Sequence, residues 1–248
     1  MEQRICLQSW VPVRASNSSK SEMVTSMLFG EVCAVIGKEG EWLHVRLIED
    51  GYLGWVPDMY LRNFSDYAGL EWAVLRGVGA FLLGDKGDKI MMSPGSCVPR
   101  MGHLKIDGVD YHLRGGLVVD EAGAAAAAEA FLNAPYLWGG RSIWGIDCSG
   151  LVQAVGKMLQ TPMPRDAYQQ AESGSLQMWD QRKSGHLAYF ANAEGKVTHV
   201  GILMDENHII HAYGKVRIDV LTAQGIVNAQ TGLLTHKLFG IRTWSQNQ

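Results

Sequence analysis

The chain changes texture near Asp120, and that change limits what each part of it can fold into. Up to about Val119, short apolar runs are broken by Gly, Pro and Asp-Gly. This is the pattern of short strands and tight turns. Glu31 to Val35 suits one strand, and Glu41-Trp42-Leu43-His44-Val45-Arg46-Leu47 alternates and suits the next. Gly51-Tyr52-Leu53-Gly54-Trp55-Val56 follows the turn signal Glu49-Asp50. Strands joined by such hairpins predict a small barrel. A second outline repeats the plan. Ile90-Met91-Met92 precedes Pro94-Gly95, and His103-Leu104-Lys105-Ile106 runs through Asp107-Gly108 into Val109-Asp110-Tyr111-His112-Leu113. The two agree in spacing rather than identity, which is the mark of a degenerate repeat.

Beyond Asp120 the signals become helical. Glu121 to Leu132 is alanine-rich, with Pro135 shortly past its end, and predicts a helix. A turn follows at Trp138-Gly139-Gly140. From Cys148 to Leu159 the spacing predicts a second helix, with Leu151, Val152, Val155, Met158 and Leu159 on one face, stopped by Thr161-Pro162. Lys196 to Met204 and His208 to Tyr213 alternate as strands around Asp205-Glu206-Asn207. Helices followed by strands predict an α+β domain. The expected organisation is two β units, 1–62 and 63–120, and an α+β unit, 121–248.

Composition excludes several functions. The 248 residues are 47% hydrophobic and 19% charged, with a formal net charge of -3 and no long run of one sign. That argues against nucleic acid or an anionic membrane as partner. No stretch reaches the roughly 20 apolar residues of a membrane span. The N-terminus lacks a basic start followed by an unbroken apolar core, so the expected location is the cytoplasm. The four cysteines, Cys6, Cys33, Cys97 and Cys148, form no CxxC pair, which disfavours a zinc ribbon or thioredoxin site.

Cys148 is the residue with chemical promise. It stands where a helix begins, and a helix N-terminus stabilises negative charge on sulfur. Asp147, Ser149 and Gly150 around it are small and polar, suited to capping. An activated thiol also needs an imidazole. If Met204 pairs with His208, Gly201 opposes His211, and His199 and His211 become diagonal neighbours on one sheet face. Such α-carbons lie roughly 7–8 Å apart. One ring then serves as base while the other holds its tautomer. A register slip of one residue would separate them. Two plainer readings stand beside this one. A lone cysteine is often a small core residue. Histidines can be zinc ligands, but His208 and His211, three apart, face opposite sides of a strand. His44, His103, His112, His186 and His236 read as surface or packing residues.

Four ordered segments carry a resemblance. They are Pro135-Tyr136-Leu137-Trp138-Gly139-Gly140, Asp147-Cys148-Ser149-Gly150-Leu151-Val152, Thr198-His199-Val200-Gly201-Ile202 and Ile210-His211-Ala212. Together they resemble the NlpC/P60 family of cell-wall cysteine peptidases, and the N-terminal β units resemble bacterial SH3 (SH3b) domains. The combination is similar to the γ-D-glutamyl-L-diamino acid endopeptidases. The resemblance implies a papain-like core with a Cys-His-His set: Cys148 as nucleophile, His199 as base, His211 as orienting residue. It further implies that Tyr136 and the Cys148 amide stabilise an oxyanion, and that Asp147 and Ser149 contact substrate. From the first SH3b unit, Glu22 and Tyr52 match a glutamate and a tyrosine that bind the free amine of L-Ala. No cofactor or metal is implied. The departures are Gly185-His186-Leu187, where the family often has Gly-Asp-Leu, and Ala167, where a polar residue often follows Pro-Arg-Asp.

The implied reaction is hydrolysis of the bond between γ-D-Glu and an L-diamino acid, meso-diaminopimelate or L-Lys, in cell-wall peptides with a free N-terminal L-Ala. Such peptides occur in murein recycling. The alternatives are an exported peptidoglycan-remodelling hydrolase or amidase, and a non-catalytic wall-binding protein that uses its SH3b units alone.

Overall fold

The computed structural model describes residues 2–116 and 123–244. The chain divides into two units, Met1–Val119 and Asp120–Gln248. Glu121, the first residue of the expected alanine-rich helix, lies outside the described residues.

The first unit begins with seven strands: β1 (Gln3–Cys6), β2 (Trp10–Arg14), β3 (Met23–Leu28), β4 (Val32–Glu39), β5 (Trp42–Leu47), β6 (Leu53–Pro57) and β7 (Leu61–Asn63). They form one antiparallel sheet in the order β3-β2-β6-β5-β4-β1-β7. The alternation in β5 sends Leu43, Val45 and Leu47 inward, as a half-buried strand requires. Every strand contributes to the same interior, through Cys6, Val11, Val13, Met27, Cys33, Leu43, Val45, Leu47, Val56 and Leu61. A sheet whose strands all face one core has curled on itself.

Six further strands follow: β8 (Trp72–Val74), β9 (Phe81–Gly84), β10 (Lys89–Met91), β11 (Cys97–Pro99), β12 (His103–Ile106) and β13 (Val109–Arg114). β10-β9-β13-β12 make a four-stranded sheet and β8 pairs with β11. The Asp107-Gly108 hairpin joins β12 to β13 with Lys105 opposite Asp110. The interior here takes Leu75, Leu82, Met92, Val98, Leu104 and Tyr111 from this segment, but Ile5, Leu7 and Phe29 from the first. The two sets of strands therefore share apolar packing within one unit.

The second unit is mostly β with a few short helices. α1 (Ala124–Glu129), the hairpin β14 (Arg141–Ser142) and β15 (Gly145–Ile146), α2 (Cys148–Met158), α3 (Ala167–Gln170) and β16 (Leu176–Gln177) come first. Six strands follow: β17 (Leu187–Ala191), β18 (Val197–Leu203), β19 (His208–Tyr213), β20 (Lys215–Thr222), β21 (Gly225–Val227) and β22 (Leu234–Arg242). Their order is β22-β17-β18-β19-β20-β21, and β22 also pairs with β21. The last strand therefore closes a ring of six. Ala188, Phe190, Leu203, Ile209, Leu221, Ile226 and Ile241 fill it. α2 packs against β18 and β19 and is buried along its whole length. Among the described residues no helix is long and apolar enough to cross a membrane.

Phe29 is fully buried and belongs to the core that the two sets of strands share. Phe29→Ala should cost about 3–5 kcal/mol, read as a lower urea midpoint for the first unit. A loss below about 1 kcal/mol would show that the shared packing is incidental.

Candidate active site

α2 begins at the nucleophile because Asp147 caps it. The Asp147 carboxylate accepts hydrogen bonds from the amides of Gly150 at 2.7 Å and Gly139 at 2.8 Å, satisfying donors that a helix start leaves open. Gly150 is required for the close approach to the preceding turn: a Cβ there would lie 2.2 Å from the Gly140 carbonyl oxygen. Arg165 completes the cap. Its Nη1 donates to Asp147 Oδ1 at 3.1 Å and to Ser149 Oγ at 2.8 Å, and Nη2 donates to Asp147 Oδ2 at 2.5 Å. All three residues are buried. Asp147 and Ser149 were expected to touch substrate. Their polar atoms are engaged here with Arg165 and the helix start, and the Asp147 charge is balanced by the guanidinium.

Cys148 is buried as the first residue of α2, with Sγ 4.0 Å from the Thr198 carbonyl oxygen. The thiol thus lies against the stretch of β18 that carries His199. β18 and β19 pair with Ile202 opposite Ile210 and Leu203 opposite Ile209, and the Met204 amide donates to the His208 carbonyl. This is the register expected from the turn, and it brings the two imidazoles together. His199 Nε2 and His211 Nδ1 are 2.8 Å apart, with the rings edge to face. Gly201 makes room: a Cβ there would lie 2.9 Å from the His211 Cβ.

The chain of contacts continues to a residue that sequence reasoning missed. His211 Nε2 is 3.0 Å from Asp219 Oδ2 on β20. Asp219 is fully buried and also accepts from the Ala229 amide at 2.9 Å and from Arg217 Nη2 at 3.0 Å. Burial alone would raise its carboxyl. The hydrogen bonds from His211, Ala229 and Arg217 outweigh that and hold it below the ordinary value. An ionised Asp219 can only accept, so it takes the Nε2–H of His211. His211 Nδ1 must then accept, and His199 donates its Nε2–H. His199 Nδ1 is left with a lone pair, the form a base needs.

Burial works against ionisation of the thiol. Burial, with the nearby Asp147 charge, pushes Cys148 up to about 12, and backbone hydrogen bonding at Val200 and Ser149 offsets only part of it. The Ser149 amide at the helix start and the Arg165 charge act in the opposite sense and favour the thiolate. Burial likewise holds His199 well below the ordinary histidine value, with the His236 and His211 rings adding to it. Both shifts favour thiol and neutral imidazole over the ion pair.

Tyr136 is partly exposed. Burial, followed by the Cys148 and Asp147 charges, raises its phenol to about 12, so it stays a hydrogen-bond donor. In the first unit, Glu22 is exposed beside β3, while Tyr52 packs against the barrel interior. His208 faces away from His211 and pairs with Asp205. His236 belongs to the histidine cluster rather than to a packed surface: its ring stacks on His199, centroids 4.0 Å apart. The nitrogens of His199, His211 and His236 all lie within 4.8 Å of one another, a spacing that admits a metal ion. However, two ligands of one tetrahedral zinc sit about 3.4 Å apart. The 2.8 Å contact between His199 Nε2 and His211 Nδ1 is a hydrogen bond.

Comparisons with known proteins place the chain in a family. Residues 133–235 match the NlpC/P60 family, and residues 13–61 match the bacterial dipeptidyl-peptidase Sh3 domain. The gamma-D-glutamyl-L-lysine dipeptidyl-peptidase of Bacillus subtilis (strain 168) is 32% identical over 223 residues, covering 80% of this chain and 75% of that protein. The protein of the same name from Bacillus cereus is 26% identical over 253 residues, covering 88% and 75%. A solved NlpC/P60 family structure from Bacillus cereus shares the fold, with a TM-score of 0.80 at 19% identity, over 98% of this chain and 100% of that one.

Asp219→Asn should reverse the tautomer order by offering an amide donor to His211. Turnover of a peptide substrate is expected to fall by as much as about 10⁴-fold while thermal unfolding shows a folded protein. Activity near that of the unsubstituted protein would mean that Asp219 does not set the tautomers.

Proposed function

Since the chain belongs to the NlpC/P60 family and is a cysteine peptidase of that type, we propose that it cuts cell-wall peptides between γ-D-Glu and an L-diamino acid, meso-diaminopimelate or L-Lys, when L-Ala carries a free amine. The observation that carries this reading is the extent of the similarity. The match to a gamma-D-glutamyl-L-lysine dipeptidyl-peptidase covers 80% of this chain, more than either unit holds, so it reaches into both.

In this reading Cys148 Sγ attacks the γ-carbonyl carbon as its proton passes to His199 Nδ1. The negative charge on the former carbonyl oxygen is met by the Cys148 amide and the Tyr136 hydroxyl. His199 then gives the proton to the diamino-acid nitrogen, the C–N bond breaks, and a thioester remains. Water, losing a proton to His199, attacks the thioester and releases L-Ala-γ-D-Glu and the thiol. His211 orients His199 throughout. Asp147 and Ser149, held by Arg165, fix the helix start and border the substrate. Glu22 and Tyr52 bind the L-Ala ammonium, one by charge and the other by a hydrogen bond. On this reading the catalytic unit is an α+β, papain-like core, and the segment 63–120 is a degenerate second SH3-like unit. A free L-Ala amine arises only after the peptide has left its glycan, which suits recycling of peptidoglycan fragments in the cytoplasm.

Mass spectrometry of products from L-Ala-γ-D-Glu-diaminopimelate, its lysine counterpart and their N-acetylated forms tests the reading. The free peptides should release L-Ala-γ-D-Glu, and Cys148→Ala should abolish the product. Glu22→Gln should raise KM for the free peptides by about tenfold, the worth of one charge-assisted hydrogen bond, with kcat little changed. Equal cleavage of acetylated and free peptides would rule out amine recognition.

A further inference from the structure

The reaction as derived uses two histidines, yet three stand together. His236 lies on β22, the strand that closes the ring, and makes no hydrogen bond to the relay. Its Nδ1 is 2.9 Å from Thr235 Oγ1. Its contacts with the site are through ring faces. It stacks on His199 at 4.0 Å with the planes 22° apart, and presents an edge to His211 at 5.7 Å. Tyr213 meets it nearly perpendicular at 4.9 Å, and Phe190 lies 6.0 Å away. Phe190 and His211 border His199 at 5.9 Å and 5.0 Å.

This placement answers a mechanical problem. Among the described residues His199 has one hydrogen-bond partner, His211, at Nε2. A single hydrogen bond is a pivot, and the ring can still swing about it. The Nδ1 lone pair must meet the thiol first and the leaving amine later, and a displacement of 1 Å is costly in such a step. A flat ring against the face of His199 removes that swing and keeps water off the same face. We propose that His236 is a positioning residue for the base: its ring, stacked on His199, fixes the imidazole plane and shields it, and it acts in the uncharged form.

The groups around His236 are consistent with an uncharged ring. Those facing it are His199 on β18, His211 and Tyr213 on β19, and Asp219 on β20. Asp219 favours a proton on His236, but it is already committed to His211, Arg217 and the Ala229 amide. Burial, and then His211, hold His236 down at about 4. During turnover His199 becomes an imidazolium. A neutral ring stacked on that cation attracts it, whereas a charged one would repel it.

The proposal rests on Cys148 and His199 being nucleophile and base, so the experiment separates the two. His236→Ala, His236→Gln and His236→Phe are compared in the full chain by kcat and KM across pH on L-Ala-γ-D-Glu-diaminopimelate. Alkylation of Cys148 by iodoacetamide is followed in parallel, and thermal unfolding confirms each fold. The Ala and Gln variants should lose about 10–100-fold in kcat with KM little changed. Their acidic limb should move up toward the ordinary histidine value as water reaches His199. Phe keeps the flat face and should restore kcat to within a few-fold. Should Ala fail to fold, Gln carries the same prediction. Unsubstituted kinetics in Ala and Gln, or a Phe variant as impaired as Ala, would overturn the proposal. If the unsubstituted protein leaves the peptide uncut while Cys148 alkylation still slows in Ala and Gln and recovers in Phe, the substrate reading fails and the role of His236 stands.

Discussion

The buried carboxylate of Asp219 gives the site its direction. A row of imidazoles has no intrinsic sense, because each ring can carry its proton on either nitrogen. An anion at one end removes the choice. Asp219 accepts from His211, His211 accepts from His199, and the lone pair is left on His199 Nδ1. The carboxylate stays ionised in a buried place because His211, Arg217 and the Ala229 amide all donate to it. A buried charge with several good donors is tolerated where a lone one would take up a proton. Arg217, opposite His211 in the ladder, therefore belongs to the site through its effect on Asp219.

A second buried pair does different work at the other half of the site. Asp147 and Arg165 carry opposite charges within hydrogen-bond distance, and both are tied to the start of α2. Such a pair adds little net stability, since desolvation offsets attraction. What it supplies is geometry: the Gly139 and Gly150 amides and Ser149 are all fixed to one carboxylate. The thiol at the next position inherits that placement. Its cost is visible in the Asp147 charge, which raises the thiol further. Burial and the Asp147 charge both favour the thiol form, so the reaction calls on His199 as proton acceptor. Directionality in the histidine relay and rigidity at the helix start are two requirements of that one proton transfer.

How far this was legible in the sequence depends on how local each signal is. The pairing of β18 with β19 follows from counting outward from the Asp205-Glu206-Asn207 turn, since strand parity and a short hairpin leave one register that joins His199 to His211. The α2 start was equally local, with Asp147 as cap and Gly150 fitting the Gly139-Gly140 turn. Asp219 was not, although it lies on the next strand, because Lys215 to Thr222 mixes charge with apolar residues and announces no site. β2 was hidden by Pro12 within it, and β1 and β7 by their length. The first unit's shared core was hidden as well, since Ile5 and Phe29 reach residues such as Leu82 and Met92 far along the chain.

His236 shows why distance in sequence matters more than residue type. It was read as a surface or packing residue because its neighbours, Thr235 and Lys237, alternate as any exposed strand would. The placement of β22 is set by two ladders, to β17 and to β21, and each contains a register irregularity. Parity counted through such breaks gives no face. Only the closed ring decides that His236 points inward beside Phe190, opposite Ile226 and against His199. The same closure that completes the core thus supplies one wall of the base's surroundings. A strand that ended the chain as an ordinary sheet edge could not have done both.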